Sequence, residues 1–292
     1  MNHLFFINKV SLGNRFDKCY KEIKGICDKH CLQYEIIATE STKELEQVKD
    51  KFKQYENAVY YAVGGDGTFQ ALVNTVDLKN NVFQYLPYGS GNNAYITFYN
   101  RPFDLERDIL CTDTFKADLG QANGEFFITM FGLALDAHIG RNLSKFRKMH
   151  LSGKSKYYAS IFYTLLFDSK PVKVRLSADG VTEDIVSSFI SITNGPTTGG
   201  QTPISPLSSA FDGKLNALLS GNLSHRGAFI LFSKVKSGMH LHEPGVTHIL
   251  FEKMTFESDD DMMYEIDGEI HFAKKIDIKV CPNAITLKGK KQ

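Results

Sequence analysis

An α/β amino-terminal domain with a parallel sheet, followed by an antiparallel β-sandwich domain, is the fold class this sequence predicts, and three observations carry the prediction. Short apolar strands alternate with amphipathic helical segments through the first third of the chain. Two glycine-rich runs, Gly64-Gly65-Asp66-Gly67-Thr68 and Leu86-Pro87-Tyr88-Gly89-Ser90-Gly91-Asn92-Asn93-Ala94, each follow an apolar strand and lie one α/β unit apart. Beyond about residue 120 the rhythm changes to β-rich segments.

The elements follow in order. His3 to Ile7 reads as a strand, and Phe16, Tyr20, Ile23 and Cys27 recur at helical spacing after it. Tyr34 to Ala38 is a second strand. Ser41 with Glu44 forms a capping box ahead of Leu45, Val48 and Phe52, which predicts a second helix. Asn57 to Val63 is the strand that enters the first glycine run, and Phe69, Leu72, Val73 and Val76 line one face of the helix that leaves it. Val82 to Leu86 enters the second run. This βαβαβα order implies parallel strands with right-handed crossovers.

In the second half, strands are predicted at Phe126 to Phe131, Val172 to Leu176, Ile185 to Thr193, Leu215 to Leu219, His248 to Phe256, Met262 to Phe272 and Ile276 to Val280. Val172, Val174 and Leu176 alternate with polar residues and Asp179-Gly180 supplies a hairpin turn, which predicts antiparallel pairing. Two helical stretches interrupt, near Tyr158 to Phe167 and Arg226 to Lys236. The expected division is residues 1–120 and 121–292, with a return of the carboxy-terminal segment to the first domain left open, and the cleft between the halves is the default site.

Composition narrows the function classes. With 292 residues and 42% hydrophobic content, the chain can bury two cores. A net charge of +1 argues against a nucleic-acid binder. No apolar run reaches the ~18 residues of a membrane-spanning helix and no amino-terminal signal is present, so a cytoplasmic protein is expected. The five cysteines are scattered, which fits reduced thiols rather than a disulfide framework. Cys27, His30 and Cys31 lack the second ligand pair that a tetrahedral metal site needs. His240 and His242 alternate as on a strand face and are assigned a structural role.

The two glycine runs carry the chemistry. Glycines permit positive φ and close approach of a ligand, so successive N–H groups at a helix start make a phosphate cradle, with Asp66 placed for a metal ion or an attacking hydroxyl. One such run alone is more often an ordinary turn. Two at the carboxyl ends of neighbouring strands share a crevice and can close on one nucleotide. Neither fits the P-loop pattern, and the match of Gly89 to Ala94 with the dinucleotide fingerprint lacks the acidic residue on a following strand.

Gly64-Gly65-Asp66-Gly67-Thr68, Leu86 to Asn92, Ser205-Pro206 leading to Asp212-Gly213-Lys214-Leu215, and Asp267-Gly268-Glu269 occur in an order that resembles the diacylglycerol kinase catalytic-domain family. That family includes bacterial lipid kinases and sphingosine kinases and is related in fold to NAD kinases. The resemblance spans nearly the whole chain, and Gly89-Ser90-Gly91-Asn92 favours the lipid branch over the NAD kinases.

The resemblance implies an ATP- and Mg²⁺-dependent kinase acting on a lipid hydroxyl, with a kinase of a soluble acceptor such as NAD, or a nucleotide-binding relative with weak or no turnover, as alternatives. Phosphoryl transfer needs positioning and charge neutralisation more than covalent work. Asn8, Ser11, Gly64, Gly65, Gly67, Thr68, Gly89, Ser90, Gly91 and Asn92 would bind nucleotide. Asp66, Asp267 and Glu269 would serve the metal and the acceptor hydroxyl, although Asp267-Gly268 also reads as a hairpin turn. Asp118 and Asp136 would lie near the acceptor headgroup, and either also reads as a cap or turn. Asp212 would belong to a structural Mg²⁺ loop, where Asn216 replaces a common aspartate. Gln70 and Ala71 stand where the family continues Asn-Glu, Asn93 where it commonly has aspartate, and Lys9 where it has proline.

A lipid acceptor implies transient peripheral contact with a membrane surface. Arg141, Lys145, Arg147, Lys148, Lys154 and Lys156 precede the apolar stretch Ala159 to Phe167, a pattern of an interfacial helix or of a core helix with a solvated basic flank. Dimerisation stays open.

Overall fold

The structure, a computed structural model, describes residues 2–40, 44, 55, 57–99, 101–146, 153–168, 170–199 and 201–290. The chain divides into two compact units, Met1–Ala117 with Asn283–Gln292, and Asp118–Pro282.

In the first unit, β1 (His3–Asn8), β2 (Tyr34–Thr39), β3 (Val59–Gly64) and β4 (Val82–Pro87) form a parallel sheet in the order β4-β3-β1-β2. Ile7 lies opposite Val63, and Gly64 opposite Pro87, so the carboxyl ends of β1, β3 and β4 are level and their loops leave from one edge. After the one-turn helix α1 (Lys9–Leu12), α2 (Phe16–Lys29) covers one face with Cys19, Ile23 and Cys27 against Phe5, Ile7, Tyr61 and Val63. Each large apolar side chain so buried contributes on the order of 2 kcal/mol. Of the predicted stripe, Ile23 and Cys27 are buried and Phe16 packs partly buried on the same cluster, while Cys19 takes the place expected for Tyr20, which faces solvent.

The other face is aromatic. Phe69 of α3 (Asp66–Thr75) stacks on Tyr85 at 5.2 Å and meets edge-on, at 6.2 Å, Phe98 of α4 (Asn93–Phe98). The capping-box helix predicted from Ser41 to Phe52 lies outside the described residues apart from Glu44. Two elements carry no strong sequence signal: α5 (Leu105–Leu110), capped by Asp104 accepting from Arg107 N–H, and β5 (Thr114–Ala122), whose buried face combines Phe115, Ala117 and Leu119. Alanine in that stripe blurs the alternation.

The second unit is built on antiparallel pairs. β6 (Glu125–Phe127) pairs with β5, and β7 (Met130–Ala134) with β10 (Phe189–Thr193). β8 (Val172–Ala178) and β9 (Val181–Ser187) form the hairpin predicted at Asp179-Gly180, both of which have positive φ. β11 (Leu215–Ser220) joins β10 to β12 (Val246–Phe251), while β13 (Lys253–Ile266) pairs with β7, β8 and β14 (Glu269–Lys288). Phe131, Leu133, Leu176, Ile190, Phe256 and Ile276 belong to one apolar cluster.

Four strands predicted as continuous are broken. Phe126 to Phe131 splits at Ile128-Thr129, whose N–H groups are taken by Asp267. Ile185 to Thr193 splits at Ser188, where the chain leaves β8 and joins β7 and β11. His248 to Phe256 splits at Glu252, and Met262 to Phe272 turns at Asp267-Gly268 into a hairpin. His240 sits in a 3₁₀ turn rather than a strand, its Nε2 beside the Ile204 carbonyl at 2.8 Å.

Helix α6 (Leu135–Phe146) was not marked by the sequence, whereas α7 (Gly153–Phe167) and α8 (His225–Ser233, capped by Ser224) lie where helices were expected. Leu135, Ile139, Ile161, Leu165 and Ala228 join the three to Phe189 and Leu218 of the sheet.

Candidate active site

At the carboxyl edge of the parallel sheet the two glycine runs touch. A Cβ added to Gly89 would stand 2.4 Å from the Cα of Gly65, a distance no real side chain adopts. None of Gly64, Gly65, Gly67, Gly89 and Gly91 has positive φ; the left-handed residue of the two loops is Asn92, at φ 55°. Gly64 and Gly89 are therefore required by close approach rather than by the left-handed backbone that the sequence suggested, whereas a Cβ on Gly67 would meet nothing within 4 Å. Thr68 packs its hydroxyl where a Cβ of Gly64 would be, and the Tyr88 N–H donates to the Gly64 carbonyl at 2.8 Å.

Asp66 opens α3 and joins the loops. Its Oδ1 accepts from the Ala94 N–H at 3.0 Å and its Oδ2 from the Asn93 side-chain amide at 3.4 Å. The buried Tyr85 hydroxyl donates to Asn92 Oδ1 at 3.0 Å, while the Asn92 amide donates back to the Pro87 and Gly89 carbonyls. A carboxylate at a helix start that accepts from the next helix start fixes both loops at once. Asp66 thus has a positioning role in this geometry, and Asn93, the departure from the family's aspartate, supplies one of its donors.

Asn8 ends β1 beside Gly64 and caps α1, its Oδ1 accepting from the Ser11 N–H at 3.1 Å. Sequence reasoning missed Arg15. Its guanidinium lies 5.8 Å from the Tyr88 ring centre and donates to the carbonyls of Tyr88, Ser11 and Leu12 at 2.5, 3.3 and 3.4 Å, so its positive charge sits against the second loop among neutral acceptors. Its place on a helical turn gives it no motif to be read from.

In the second unit, the Asp267 carboxylate accepts from the N–H groups of Ile128, Thr129 and Met130 at 2.6, 3.0 and 3.0 Å and from the Thr129 hydroxyl. Burial raises its pKa and these four donors oppose the rise. Asp267 fixes the hairpin, and Glu269, the first residue of β14, is the exposed carboxylate of the Asp-Gly-Glu run.

Asp136 lies in the first turn of α6 and is buried. Beneath it, Ser191, Gly132 and Glu265 are neighbours across β10, β7 and β13. A Cβ on Gly132 would meet the Asp136 side chain at 2.9 Å, so the glycine makes room for that carboxyl. Burial raises the Asp136 pKa to about 7, with Ser191 opposing, and Asp136 Oδ2 has no hydrogen-bond partner. Glu265, a second residue the sequence did not mark, is buried too; burial, and then the charges of Asp136, Asp267 and Glu269, raise its pKa far above the usual carboxylate range.

Asp118 is buried and grips the 212–214 loop by accepting from the Gly213 N–H at 2.8 Å, while Asp212 accepts from the Lys214 N–H at 3.0 Å in a local turn. Among the described residues no three histidine, cysteine, aspartate or glutamate side chains come together as a metal-ligand set. A magnesium ion serving this chain would accordingly take most of its ligands from nucleotide phosphates and water, with one or two carboxylates.

Comparison with known proteins decides the family. Residues 2–122 match the model of the diacylglycerol kinase catalytic domain, and residues 131–289, more than half of the chain, match the YegS C-terminal NAD kinase beta sandwich-like domain. The chain belongs to the diacylglycerol kinase catalytic-domain family. Proteins of Staphylococcus aureus strains MSSA476 and MW2, each named a "putative lipid kinase", are 29% identical over 273 residues, covering 91% of this chain and 88% of theirs. A crystal structure of a "putative diacylglycerol kinase" from Bacillus anthracis str. Sterne superposes with a TM-score of 0.79 at 16% identity, covering 99% of this chain and 95% of that one, and so shares the fold. Membership of this kinase family implies use of ATP. The glycine cradle of this member is closed to any Cβ at Gly89.

Proposed function

We propose that this protein transfers the γ-phosphate of ATP, in the presence of Mg²⁺, to the hydroxyl of a lipid, of the diacylglycerol, sphingoid or related class. The observation that carries the reading is the contact of Gly65 with Gly89: two loops from adjacent parallel strands form one backbone cradle, with Arg15 as a cation beside it. Gly64, Gly65, Gly67 and Thr68 receive the phosphates from one side, and Ser90, Gly91 and Asn92 from the other. Mg²⁺ supplies charge neutralisation on the phosphates when bound.

Glu269 is the residue we assign to the acceptor hydroxyl, because it is the carboxylate of its run that remains open to solvent while Asp267 is enclosed by donors. As general base it takes the hydroxyl proton as the oxygen bonds to the γ-phosphorus and the P–O bond to the β-phosphate breaks, ADP leaving. Asp66, Asp267 and Asn8 hold the loops from which these groups act. Ser11, Asp118, Asp136 and Asp212 keep their proposed places beside nucleotide, acceptor and structural metal, with Asp118 and Asp136 acting from behind the surface because both are buried.

The test is incubation with γ-labelled ATP, magnesium and a panel of lipid acceptors, followed by organic extraction. Label in the organic phase is expected, falling by ~10²-fold or more in Glu269→Gln while calorimetric nucleotide affinity is kept. Label confined to an aqueous acceptor such as NAD, or an undiminished rate in Glu269→Gln, would remove this assignment.

A further inference from the structure

More than half of the large apolar side chains exposed among the described residues lie on α7, α8 and the 3₁₀ turn Met239–His242. Two anchors fix how these helices run. His225, at the start of α8, has Nδ1 2.8 Å from the carbonyl of Leu165 near the end of α7, and Lys236, beyond the end of α8, lies 4.6 Å from the ring centre of Tyr158 in the first half of α7. The helices are therefore antiparallel neighbours.

Helix α7 is apolar nearly all round, which in a water-exposed helix needs an explanation. One face is core: Ile161 and Leu165 are buried with Leu135, Ile139 and Phe189, and Ser160 donates to the Ile139 carbonyl. The opposite face carries Phe162 and Leu166, one turn apart and 55% and 49% exposed; Phe229 and Ile230 stand exposed on α8, at 53% and 39%. Phe167 is the most exposed, at 72%. Apolar surface of this extent on one side of a protein marks an interaction face.

The charges around it choose the partner. Arg226, Lys170 and Lys236 are exposed cations on or beside the two helices. The acids close by in the chain are already neutralised, Asp168 by Arg141 and Glu243 by Lys234. A second copy of this chain, docking by a two-fold axis, would set these cations against their own equivalents, which is unfavourable. A bilayer bearing anionic headgroups meets both requirements, acyl chains for the aromatic and aliphatic side chains and negative charge for the rim, with Tyr158 and Tyr163 suited to the headgroup level. Of the basic run from Arg141 to Lys156, Arg141 is paired with Asp168, Arg147 and Lys148 lie outside the described residues, and the side chains of Lys145, Lys154 and Lys156 are not described.

We infer that the outer faces of α7 and α8 are the surface on which this protein seats on an anionic lipid bilayer, an inference that rests on the lipid-acceptor reading above. Co-sedimentation of the full chain with phosphatidylcholine vesicles, and with vesicles mixing phosphatidylcholine and phosphatidylglycerol, tests it. Binding to the mixed vesicles is expected, weakened by salt. The double variant Phe162→Ser/Phe229→Ser should partition at least about tenfold less. Arg226→Glu/Lys236→Glu should lose about fivefold per cation and the preference for anionic vesicles.

Equal sedimentation with both vesicle types, or variants that bind as the parent does, would overturn the inference. So would light scattering that shows a dimer converted to monomer by Phe162→Ser/Phe229→Ser. Phosphate transfer to a lipid held in detergent micelles is measured alongside, since it needs no bilayer: transfer without vesicle binding defeats the docking face alone, and vesicle binding without transfer defeats the kinase reading alone.

Discussion

The glycine edge of the parallel sheet and the row of residues beneath α6 treat their acids in opposite ways. At the edge, Asp66 receives the Ala94 N–H and the Asn93 amide from the loop that follows the adjacent strand, and the Tyr85 hydroxyl from that strand itself. Beneath α6, Asp136 and Glu265 are buried together, Asp136 Oδ2 has no donor, and no cation appears among the groups that shift either acid. The first region is a satisfied network that holds backbone in place; the second holds an unfavourable pair in place by the packing around it. Preorganised backbone and stored electrostatic cost are the two forms in which functional sites depart from ordinary cores.

The largest way to break this comparison is to fill the contact on which the first region depends. Gly89→Val would drive a branched side chain into the Gly65 backbone, which lies within 2.4 Å of the new Cβ position. The loops must separate and the cradle opens. Calorimetry with ATP and magnesium should show affinity falling by ~10²-fold or more, while far-ultraviolet dichroism stays near that of the parent; unchanged affinity would show that the phosphates bind elsewhere.

The next effect belongs to the buried acids. The folded-state pKa of Asp136, about 7, lies above its ordinary 3.8, so its cost is absent below pH 4, grows from there to pH 7 and is full above it. The groups facing it are Ser191 and Glu265, and those facing Glu265 are Asp136, Asp267, the Gly268 N–H and Glu269. Asp136→Asn removes the titration and offers Glu265 a donor. Urea unfolding should show a gain on the order of 3 kcal/mol at pH 7.5 and almost none at pH 4. A gain independent of pH would show that the acid is satisfied in solution.

The same contrast explains what the sequence made legible. The strands that frame the glycine edge announce themselves, because an apolar run ending in Gly64-Gly65 or Pro87-Tyr88-Gly89 combines a hydrophobic signal with a turn signal over a few residues. The fold class followed from that repetition, and the family from the order of four short motifs. Glu265 was illegible because it stands inside an ordinary strand pattern, and its burial depends on Gly132 and Gly140, which are far away in sequence and come close only through pairing with β7 and packing of α6. Arg15 was illegible for a similar reason: its partner carbonyl at Tyr88 belongs to another α/β unit. Asp66 and Asp267 were legible as candidate acids, but their hydrogen bonds were not, since Asp66 reaches Asn93 and Ala94 and Asp267 reaches Ile128 to Met130, far away in sequence.

The smallest effect sharpens the comparison by asking whether the first unit hides a cost of its own. Lys288 is 7% exposed, lies 5.5 Å from the Tyr61 ring centre and donates to the Tyr61 hydroxyl at 2.9 Å. That hydroxyl is also 2.8 Å from His3 Nδ1, and burial lowers the His3 pKa to about 4, so the imidazole is neutral near pH 7. Burial, the largest cause, likewise lowers the Lys288 pKa to about 8 from 10.5. For a base with a depressed pKa the sign reverses from the Asp136 case: the cost is full below pH 8, shrinks as pH rises through 10.5 and is absent above it. Lys288→Met should therefore stabilise the protein by roughly 2 kcal/mol at pH 7, after the lost hydrogen bond is set against the relieved charge, and the gap between variant and parent should close near pH 10.5. Melting curves at pH 7 and above pH 10 measure both. If Lys288→Met is instead destabilising at both, the ammonium is solvated or paired, and the buried acids beneath α6 stand alone in carrying an electrostatic cost.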